Sequence, residues 1–248
     1  MTFKEYLRYL LLMIFRPGSL KTMEWRMLRL LNRDRRANGL KPVRMQQDLR
    51  KVARKHSLDM AEKDYFDHVN QRAQSHSDRF RLSGITDVVS GENLAKIGGF
   101  PNPTQKAEVG LMNSPGHRAN ILNGLYNVVG IGVIQDKNGV YYFTQNFAKR
   151  DVIFSKTIPE KIKYNRHLII KGQTVGRVDA IVYQVMPQGR KAAMTQSIVK
   201  LTEKNFSFAI TFPEAAVYDV SIFVNMQGSD QYMLVNKFSI KVRKGIFT

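Results

Sequence analysis

Three short segments in the middle of the chain carry residues that can hold a ligand or move a proton. They are Tyr65-Phe66-Asp67-His68, Gly91-Glu92-Asn93-Leu94-Ala95, and the stretch 112–122 that contains His117. Two imidazoles and a carboxylate are the smallest set that forms a divalent metal site with open positions, or a neutral histidine base oriented by a glutamate. His68, Glu92 and His117 are therefore the candidate site residues.

The residues before His117 are typical of a helix start. Ser114 fits the N-cap and Pro115 the first helical position. His117 then falls in the first turn, where the positive helix end disfavours the imidazolium and favours a neutral ring. A neutral ring suits either metal binding or proton abstraction.

The other three histidines have plainer interpretations. His56 lies on an apolar helix stripe and is predicted to be a satisfied core residue. His76 lies in a polar loop near His68 and is a weak candidate for a supporting residue behind the site. His167 begins a predicted strand and carries no recognisable motif.

The elements that must position these residues are mixed helices and strands in the first 150 residues. Gly39 is a helix stop, and the pair Asn138-Gly139 marks a hairpin turn. Residues 66–99 are polar and contain glycine, and they predict long functional loops. The predicted helices cover residues 20–38, 46–65, 78–82, 104–112 and a short segment after 114, and the predicted strands cover 128–134 and 140–147.

Beyond Arg150 the pattern changes to alternating apolar and polar residues separated by glycine, proline and asparagine. About seven antiparallel strands closing into an immunoglobulin-like sandwich are the predicted structure, with Tyr218 placed for a tyrosine-corner contact. The clearest runs are 168–171, 178–185, 197–201, 206–212, 218–225 and 232–242.

The charge of the chain is strongly positive, and it is unevenly distributed. Lysine and arginine total 39 against 20 acidic residues, giving a formal charge of +19. Residues 1–60 hold 15 basic and 5 acidic side chains, whereas residues 61–150 hold 10 and 8. Such an excess draws a protein toward anionic lipid, cell-wall polymer or nucleic acid. No base-reading or stacking motif accompanies it, so specific nucleic acid recognition is not expected.

Two further features bound the interpretation. The chain contains no cysteine, which excludes disulfides, thiolate metal sites and thiol nucleophiles, and leaves the redox compartment open. An apolar run over residues 3–15 is too short to span a bilayer. It is interpreted either as a signal or anchor, or as an amphipathic helix packed on another surface.

The motifs together resemble a known family. The string Met-Asn-Ser-Pro-Gly-His-Arg-Ala-Asn-Ile-Leu (112–122), the segments 65–68 and 91–95, and the hairpin 129–147 occur in the order seen in bacterial CAP domains (cysteine-rich secretory, antigen 5 and pathogenesis-related proteins). Residues 31–53 are similar to the first two helices of that family. The resemblance covers roughly residues 23–150.

The resemblance implies an α-β-α sandwich CAP domain, placed at 20–150, with a cavity lined by His68, His117 and Glu92. The residue pattern adds an apolar, basic helix at 1–19 before it and the immunoglobulin-like β-sandwich at 151–248 after it. The chain as a whole is therefore predicted to be α+β. Animal and plant relatives add a second glutamate three residues after a tryptophan. Leu111 and Ser114 stand in those places here, so the fourth group is absent.

Three functions follow from this resemblance. The first is a secreted or envelope-associated binding module, with a lipid, small apolar ligand, peptide or metal in the cavity and basic helices on an anionic surface. The second is a metal-dependent hydrolase, in which His68 and His117 hold Zn²⁺ or Mg²⁺ and Glu92 acts as base. The third is a structural or adhesion protein with a vestigial cavity, whose β domain binds an unknown partner. The missing acid favours binding over catalysis.

Overall fold

The computed structural model of the protein describes residues 17–190 and 195–244. The chain divides into two compact units, one made of residues up to 83 together with 90–148, the other of 84–89 together with the chain from 149 onwards. The first unit mixes helices and strands and the second is all β, so the predicted α+β class is confirmed. Residues 1–16 of the N-terminal helix predicted at 1–19 lie outside the described residues. None of the described helices is long and apolar enough to cross a membrane.

Within the described residues, the first unit contains five helices and one four-stranded sheet. The strand order is β1-β3-β4-β2, in which β1 is parallel to β3 and the other pairs are antiparallel. The elements are α1 Pro17–Ala37, β1 Arg44–Met45, α2 Gln47–Lys63, α3 His76–Leu82, β2 Ser90–Ile97, α4 Pro103–Asn113, α5 Pro115–Ile121, β3 Val128–Gln135 and β4 Tyr141–Ala148.

Alternation along β4 shows that helices cover both faces of this sheet. Thr144 bonds to Ser57 of α2, whereas its neighbour Gln145 bonds to Glu108 of α4. Successive strand residues point to opposite faces, so α2 and α4 lie on opposite sides. Helix α1 packs on α4 and α5 and belongs to their layer. The result is the expected α-β-α sandwich.

Two glycines of β3 allow α2 to lie directly on the sheet. A Cβ at Gly130 would overlap the backbone of Leu49, and one at Gly132 would overlap the backbone of Ala53 and Arg54. The small contact distance fixes the height of α2 above the sheet, and with it the position of the residues that follow the helix.

The segment 66–99, predicted as loops around a short helix, differs from the structure at its end. Residues Ser90–Ile97 form β2, which pairs antiparallel with β4 along its whole length. The strand is hidden in the sequence because Glu92 and Asn93 occupy consecutive positions and both are buried. Polar residues at buried positions remove the apolar alternation by which strands are normally predicted.

Arg35 acts as a buried anchor between α1 and the chain after α5. Its guanidinium is 1% exposed and donates to four main-chain carbonyls. These are Lys41 O (2.9 Å), Ile121 O (2.8 Å), Asn123 O (2.9 Å) and Tyr126 O (3.0 Å). Because all four acceptors are backbone atoms, Arg35 holds α5 and the start of β3 against α1.

The second unit is a sandwich of two sheets around one apolar core. The sheet orders are β10-β7-β5 and β6-β12-β11-β8-β9, and the Tyr218 hydroxyl donates to Glu214 O (3.0 Å), which confirms the predicted tyrosine-corner contact. Its strands within 84–190 and 195–244 are β5 Val152–Phe154, β6 Lys161–Lys163, β7 Leu168–Thr174, β8 Val178–Pro187, β9 Thr195–Lys200, β10 Asn205–Ile210, β11 Val217–Met226 and β12 Tyr232–Arg243.

Residues 84–89 leave the first unit between α3 and β2 and belong to the second. Thr86 O accepts from Lys237 N (3.0 Å) and Val88 N donates to Val235 O (3.1 Å), while Asp87 pairs with Arg150. The sequence-based division at 150/151 treated each domain as one continuous segment. A six-residue contribution from within the first segment has no compositional signal that would reveal it.

Replacing Arg35 with methionine should destabilise the first unit by on the order of 3 kcal/mol, since buried carbonyls would lose their partners. The matched control is Arg36→Met, which removes an exposed neighbour and should change stability by less than about 0.5 kcal/mol. Urea unfolding followed by the fluorescence of Trp25, the only tryptophan in the chain, measures the first unit selectively. Equal effects of the two substitutions would contradict the anchoring role.

Candidate functional site

The site centres on Glu92, a β2 carboxylate whose side chain is 1% exposed. Its Oε1 atom lies 2.9 Å from His68 Nδ1, and its Oε2 atom accepts from Arg79 Nη2 (2.6 Å). The Asn146 amide, in the orientation that satisfies its neighbours, also donates to Oε2 (3.1 Å) and accepts from Ala53 N (3.2 Å). Three side chains therefore form hydrogen bonds with the two oxygens of this carboxylate.

Arg79 of α3 also organises the loop that carries His68. Its Nη1 atom donates to His68 O (2.9 Å) and to Gln74 O (2.8 Å), while Nη2 contacts Glu92. Ser75 starts α3 with a capping box to Asp78, which fixes the helix from which Arg79 projects. One guanidinium thus links the 68–74 loop to the sheet.

The charges in this cluster determine the protonation of both partners. Burial alone would raise the pKa of Glu92, but hydrogen bonds from His68 and Arg79 and the charge of Arg79 lower it below its usual value. The hydrogen bond to Glu92 raises the pKa of His68, against the opposing effect of burial. Glu92 is therefore an anion, and the imidazolium form of His68, whose side chain is 52% exposed, is favoured.

His117 approaches the pair from the opposite helix layer. Burial lowers its pKa, and the charge of His68 lowers it further, so the ring is biased toward the neutral form expected from the sequence. Its main-chain carbonyl accepts from Asn93 Nδ2 (3.0 Å). Within the described part of the chain, the His117 ring makes no hydrogen bond to His68 or Glu92. The structure thus joins His68 and Glu92 directly and places His117 within electrostatic reach.

A chain of side-chain amides runs behind β2. Asn93 Nδ2 donates to Gln145 Oε1 (3.1 Å), and Asn120 Nδ2 donates both to Asn93 Oδ1 (2.9 Å) and to Glu92 O (3.2 Å). Gln145 Nε2 then donates to Glu108 Oε2 (2.9 Å). The backbone of Glu92 and the carbonyl of His117 are both held by this network.

Glu108 ends the network as a buried acid of α4, 1% exposed. Burial raises its pKa to about 8, although the hydrogen bond from Gln145 opposes the shift. Its second oxygen, Oε1, has no hydrogen-bond partner. A protonated, uncharged carboxyl is therefore the stable form in the core at neutral pH.

Of the remaining histidines, His56 and His76 lie near the site and His167 lies in the second unit. His56 is buried as predicted, and its Nε2 atom contacts Asp67 O (3.0 Å), but Nδ1 is unpartnered, so the ring is only half satisfied. Burial lowers the pKa of His56 to about 4. His76 contacts Ser90 Oγ (3.3 Å) on β2, and no hydrogen bond joins it to Glu92 among the described residues. His167 is exposed and immediately precedes β7, in the second unit.

Leu111 and Ser114, which stand where relatives have a tryptophan and a second glutamate, lie in the core and at a helix start. Leu111 is 3% exposed and packs in the core. Ser114 occupies the N-cap of α5 as predicted, but its side chain makes no capping hydrogen bond. Neither residue supplies a carboxylate, and the three-member site of His68, Glu92 and His117 stays a prediction.

The residues present do not fit the Zn²⁺ or Mg²⁺ ion that the hydrolase hypothesis places on His68 and His117. The described residues contain no group of three histidine, aspartate or glutamate side chains arranged to hold a metal ion. Both Glu92 oxygens already have partners. The Arg79 guanidinium, whose Nη2 atom lies 2.6 Å from Glu92 Oε2, would repel a cation bound beside this carboxylate. No step is therefore derived through a metal ion.

Sequence reasoning missed Arg79, Asn146 and Glu108. Arg79 resembles any other arginine on a short, charged helix, and its role depends on a strand that the sequence did not reveal. Glu108 had a usable signal, because it falls on the buried stripe of α4 with Thr104, Ala107 and Leu111. An acid on such a stripe indicates either a buried partner or a shifted pKa.

Replacing Arg79 with methionine should destabilise the first unit by about 3 kcal/mol, because Glu92 would keep its buried charge without its cationic partner. The pKa of His68 should rise further in the same variant, because the charge of Arg79 lowers it in the wild-type protein. Arg81→Met on the same helix removes a guanidinium that is 72% exposed and should leave both quantities unchanged. Trp25 fluorescence in urea and NMR titration of the histidine rings measure them.

Glu108 should make stability fall as pH rises. Between pH 5 and 8 the unfolded chain ionises this carboxyl while the folded protein keeps it protonated, so the free energy of unfolding drops with a slope of about 1.4 kcal/mol per pH unit from this group. Glu108→Gln should flatten the dependence. Asp64→Asn, which alters a side chain that is 92% exposed, should not. Unfolding followed through Trp25 at three pH values tests this, and parallel curves for wild type and Glu108→Gln would contradict it.

Comparison with known proteins agrees with the geometry of the first unit. Residues 28–147 match the model of the cysteine-rich secretory protein (CAP) family. The chain is 37% identical to the uncharacterized protein YkwD of Bacillus subtilis over 131 residues, and 38% identical to the uncharacterized membrane protein YlbC of the same organism over 129 residues. It covers 49% of the first relative and 35% of the second. These alignments take up 53% and 52% of the present chain.

Among solved structures, an extracellular protein of Bacillus anthracis that contains an SCP domain is similar at 28% identity, with a TM-score of 0.48. The match covers 53% of this chain and 41% of that one. The ordered motifs, the α-β-α sandwich around Glu92 and the family match all concern the same segment. Residues 28–147 of this protein therefore form a bacterial-type domain of the CAP family.

Proposed function

We propose that the first unit is a binding module of a secreted or envelope-associated protein, and that His68 and His117 hold an anionic group of a ligand beside β2. The observation that carries the proposal is the state of Glu92. A general base must have a free oxygen and a pKa near the working pH. Glu92 has Arg79, His68 and Asn146 on its oxygens and a lowered pKa, so it orients His68 instead of accepting a proton.

The charges indicate the chemistry of the ligand group. Arg79 and protonated His68 together carry two positive charges against one on Glu92, which leaves a net positive site. The half-exposed His68 ring has its Nε2 atom available as a donor, because Nδ1 is directed at Glu92. A carboxylate or phosphate suits such a donor. Peptide ends and lipid headgroups both supply these groups.

Butyrate and butyl phosphate are suitable probes, and histidine ring signals in NMR spectra report their binding. Saturable shifts of His68 and His117 are expected at pH 6, weakening as pH rises through the raised pKa of His68, since binding requires the imidazolium. His68→Ala should abolish the response, whereas His76→Ala should retain it. A wild-type protein that gives no saturable shift would contradict the binding role and favour the structural interpretation.

The catalytic alternative is tested in the same preparation with p-nitrophenyl butyrate. Wild type and Glu92→Gln should both show only the background rate, because the oxygens of Glu92 are already engaged by Arg79, His68 and Asn146. Turnover that is lost in Glu92→Gln would contradict the binding proposal and support a hydrolase.

The location and the outer surface form the second part of the proposal. Membership of residues 28–147 in a secretory-protein family supports placement in the envelope or outside the cell. The formal charge of +19 supports attachment to an anionic envelope surface through the basic helices. Cavity and surface use different residues, and each can be altered without the other.

A further inference from the structure

Four arginines form one line along the exposed side of α1. Arg26, Arg29, Arg33 and Arg36 are exposed and follow one another at intervals of three and four residues, so they share one helix face. The line, here called the arginine stripe, spans about 15 Å at the helical rise of 1.5 Å per residue. No acidic residue occupies a position on this face.

The stripe is not balanced by neighbouring charges. Arg33 pairs with Asp34 (2.9 Å), whereas Arg26, Arg29 and Arg36 have no ion pair among the described residues. Like charges three or four residues apart destabilise a helix. Solvated helix faces usually intersperse glutamate between lysines, and this one does not. A row of exposed guanidinium groups, of which only Arg33 has an ion pair among the described residues, favours an anionic partner. Arginine binds phosphate groups through two parallel hydrogen bonds.

The helix cannot bind a bilayer in the usual amphipathic manner. That mode immerses the apolar face of the helix in the membrane, but the apolar face of α1 is already in the core, where Met27 and Leu31 are fully buried. A stripe one side chain wide is also too narrow for a stable protein interface, which covers about 800 Å² on each partner. A linear polyanion fits the shape.

The aromatic content argues against a nucleic acid. Single-stranded nucleic acids bind through several aromatic platforms on which bases stack. Trp25 is the only aromatic residue of α1, and the Arg50 guanidinium lies 5.6 Å from its ring centroid. With one ring already engaged by a cation, base stacking has no platform along the stripe.

We propose that the arginine stripe of α1 binds a flexible phosphodiester polymer that carries no bases, such as a poly(alditol phosphate) chain. This deepens the envelope attachment in the proposed function and identifies its partner by chemistry. Successive phosphates contact Arg26, Arg29, Arg33 and Arg36 along the helix. The cavity residues take no part, so ligand binding at His68 and polymer binding at α1 are independent.

The fluorescence of Trp25, adjacent to the stripe and 42% exposed, reports binding directly. Wild-type protein is titrated with poly(glycerol phosphate) at several salt concentrations. The triple variant Arg26→Gln/Arg29→Gln/Arg36→Gln should bind at least about tenfold more weakly at moderate salt, with the salt slope reduced by about 2. His68→Ala/His117→Ala should bind like wild type, which separates this proposal from the cavity proposal.

A stringent control removes the same charge elsewhere. Lys161, Lys163 and Lys241 are exposed and adjacent in the paired strands β6 and β12 of the second unit. Lys161→Gln/Lys163→Gln/Lys241→Gln should leave polymer affinity within about twofold, since these residues make no phosphate contact in the proposal. Equal weakening by both triple variants would show that only net charge matters and would overturn the stripe.

Two further probes test the choice of partner. Phosphatidylglycerol vesicles, measured by co-sedimentation, and a single-stranded oligonucleotide with the same number of phosphates should both bind more weakly than the polymer. Vesicle or oligonucleotide affinity equal to or above that of the polymer would overturn the assignment to a base-free phosphodiester chain.

Discussion

The ion pair between Arg79 and Glu92 is the interaction that holds the candidate site of the first unit together. A carboxylate that is 1% exposed can remain charged only if cations and donors replace its lost water. Arg79 supplies them and, through His68 O and Gln74 O, holds the loop that brings His68 to the same carboxylate. Removing the charge of Glu92 would therefore release the loop as well as the histidine.

The position of β2 at the edge of the sheet explains how the two helix layers meet in one site. Glu92 and Asn93 are consecutive, so they point to opposite faces. Glu92 meets Arg79 and Asn146, while Asn93 meets the His117 carbonyl and Gln145. The edge strand β2 therefore brings groups from both faces of the sheet close together. The amide network that ends at uncharged Glu108 holds the groups on the second face.

The sequence predicted the parts of this fold that have local signals. Helix periodicity, the Pro115 start, the Asn138-Gly139 turn and the tyrosine corner at Tyr218 all depend on residues close in the chain, and the motif order identified the family. The strand at 90–97 and the role of Arg79 could not be predicted, because both depend on partners distant in sequence that satisfy buried polar groups. The contribution of residues 84–89 to the second unit was missed for the same reason.

Adjacent arginines on α1 show why net charge alone does not describe the surface. Arg35 is buried and directs its guanidinium at four carbonyls, whereas Arg36 is exposed and has no ion pair in the described structure. Both count equally toward the formal charge of +19, yet only the second presents its guanidinium to solvent. The periodicity of the helix separates these two kinds of arginine. Residues three or four positions apart share a face, so Arg36 lies with the exposed arginines whereas Arg35 points into the core. Charge patterning on individual elements is consequently a better guide to partner chemistry than the total.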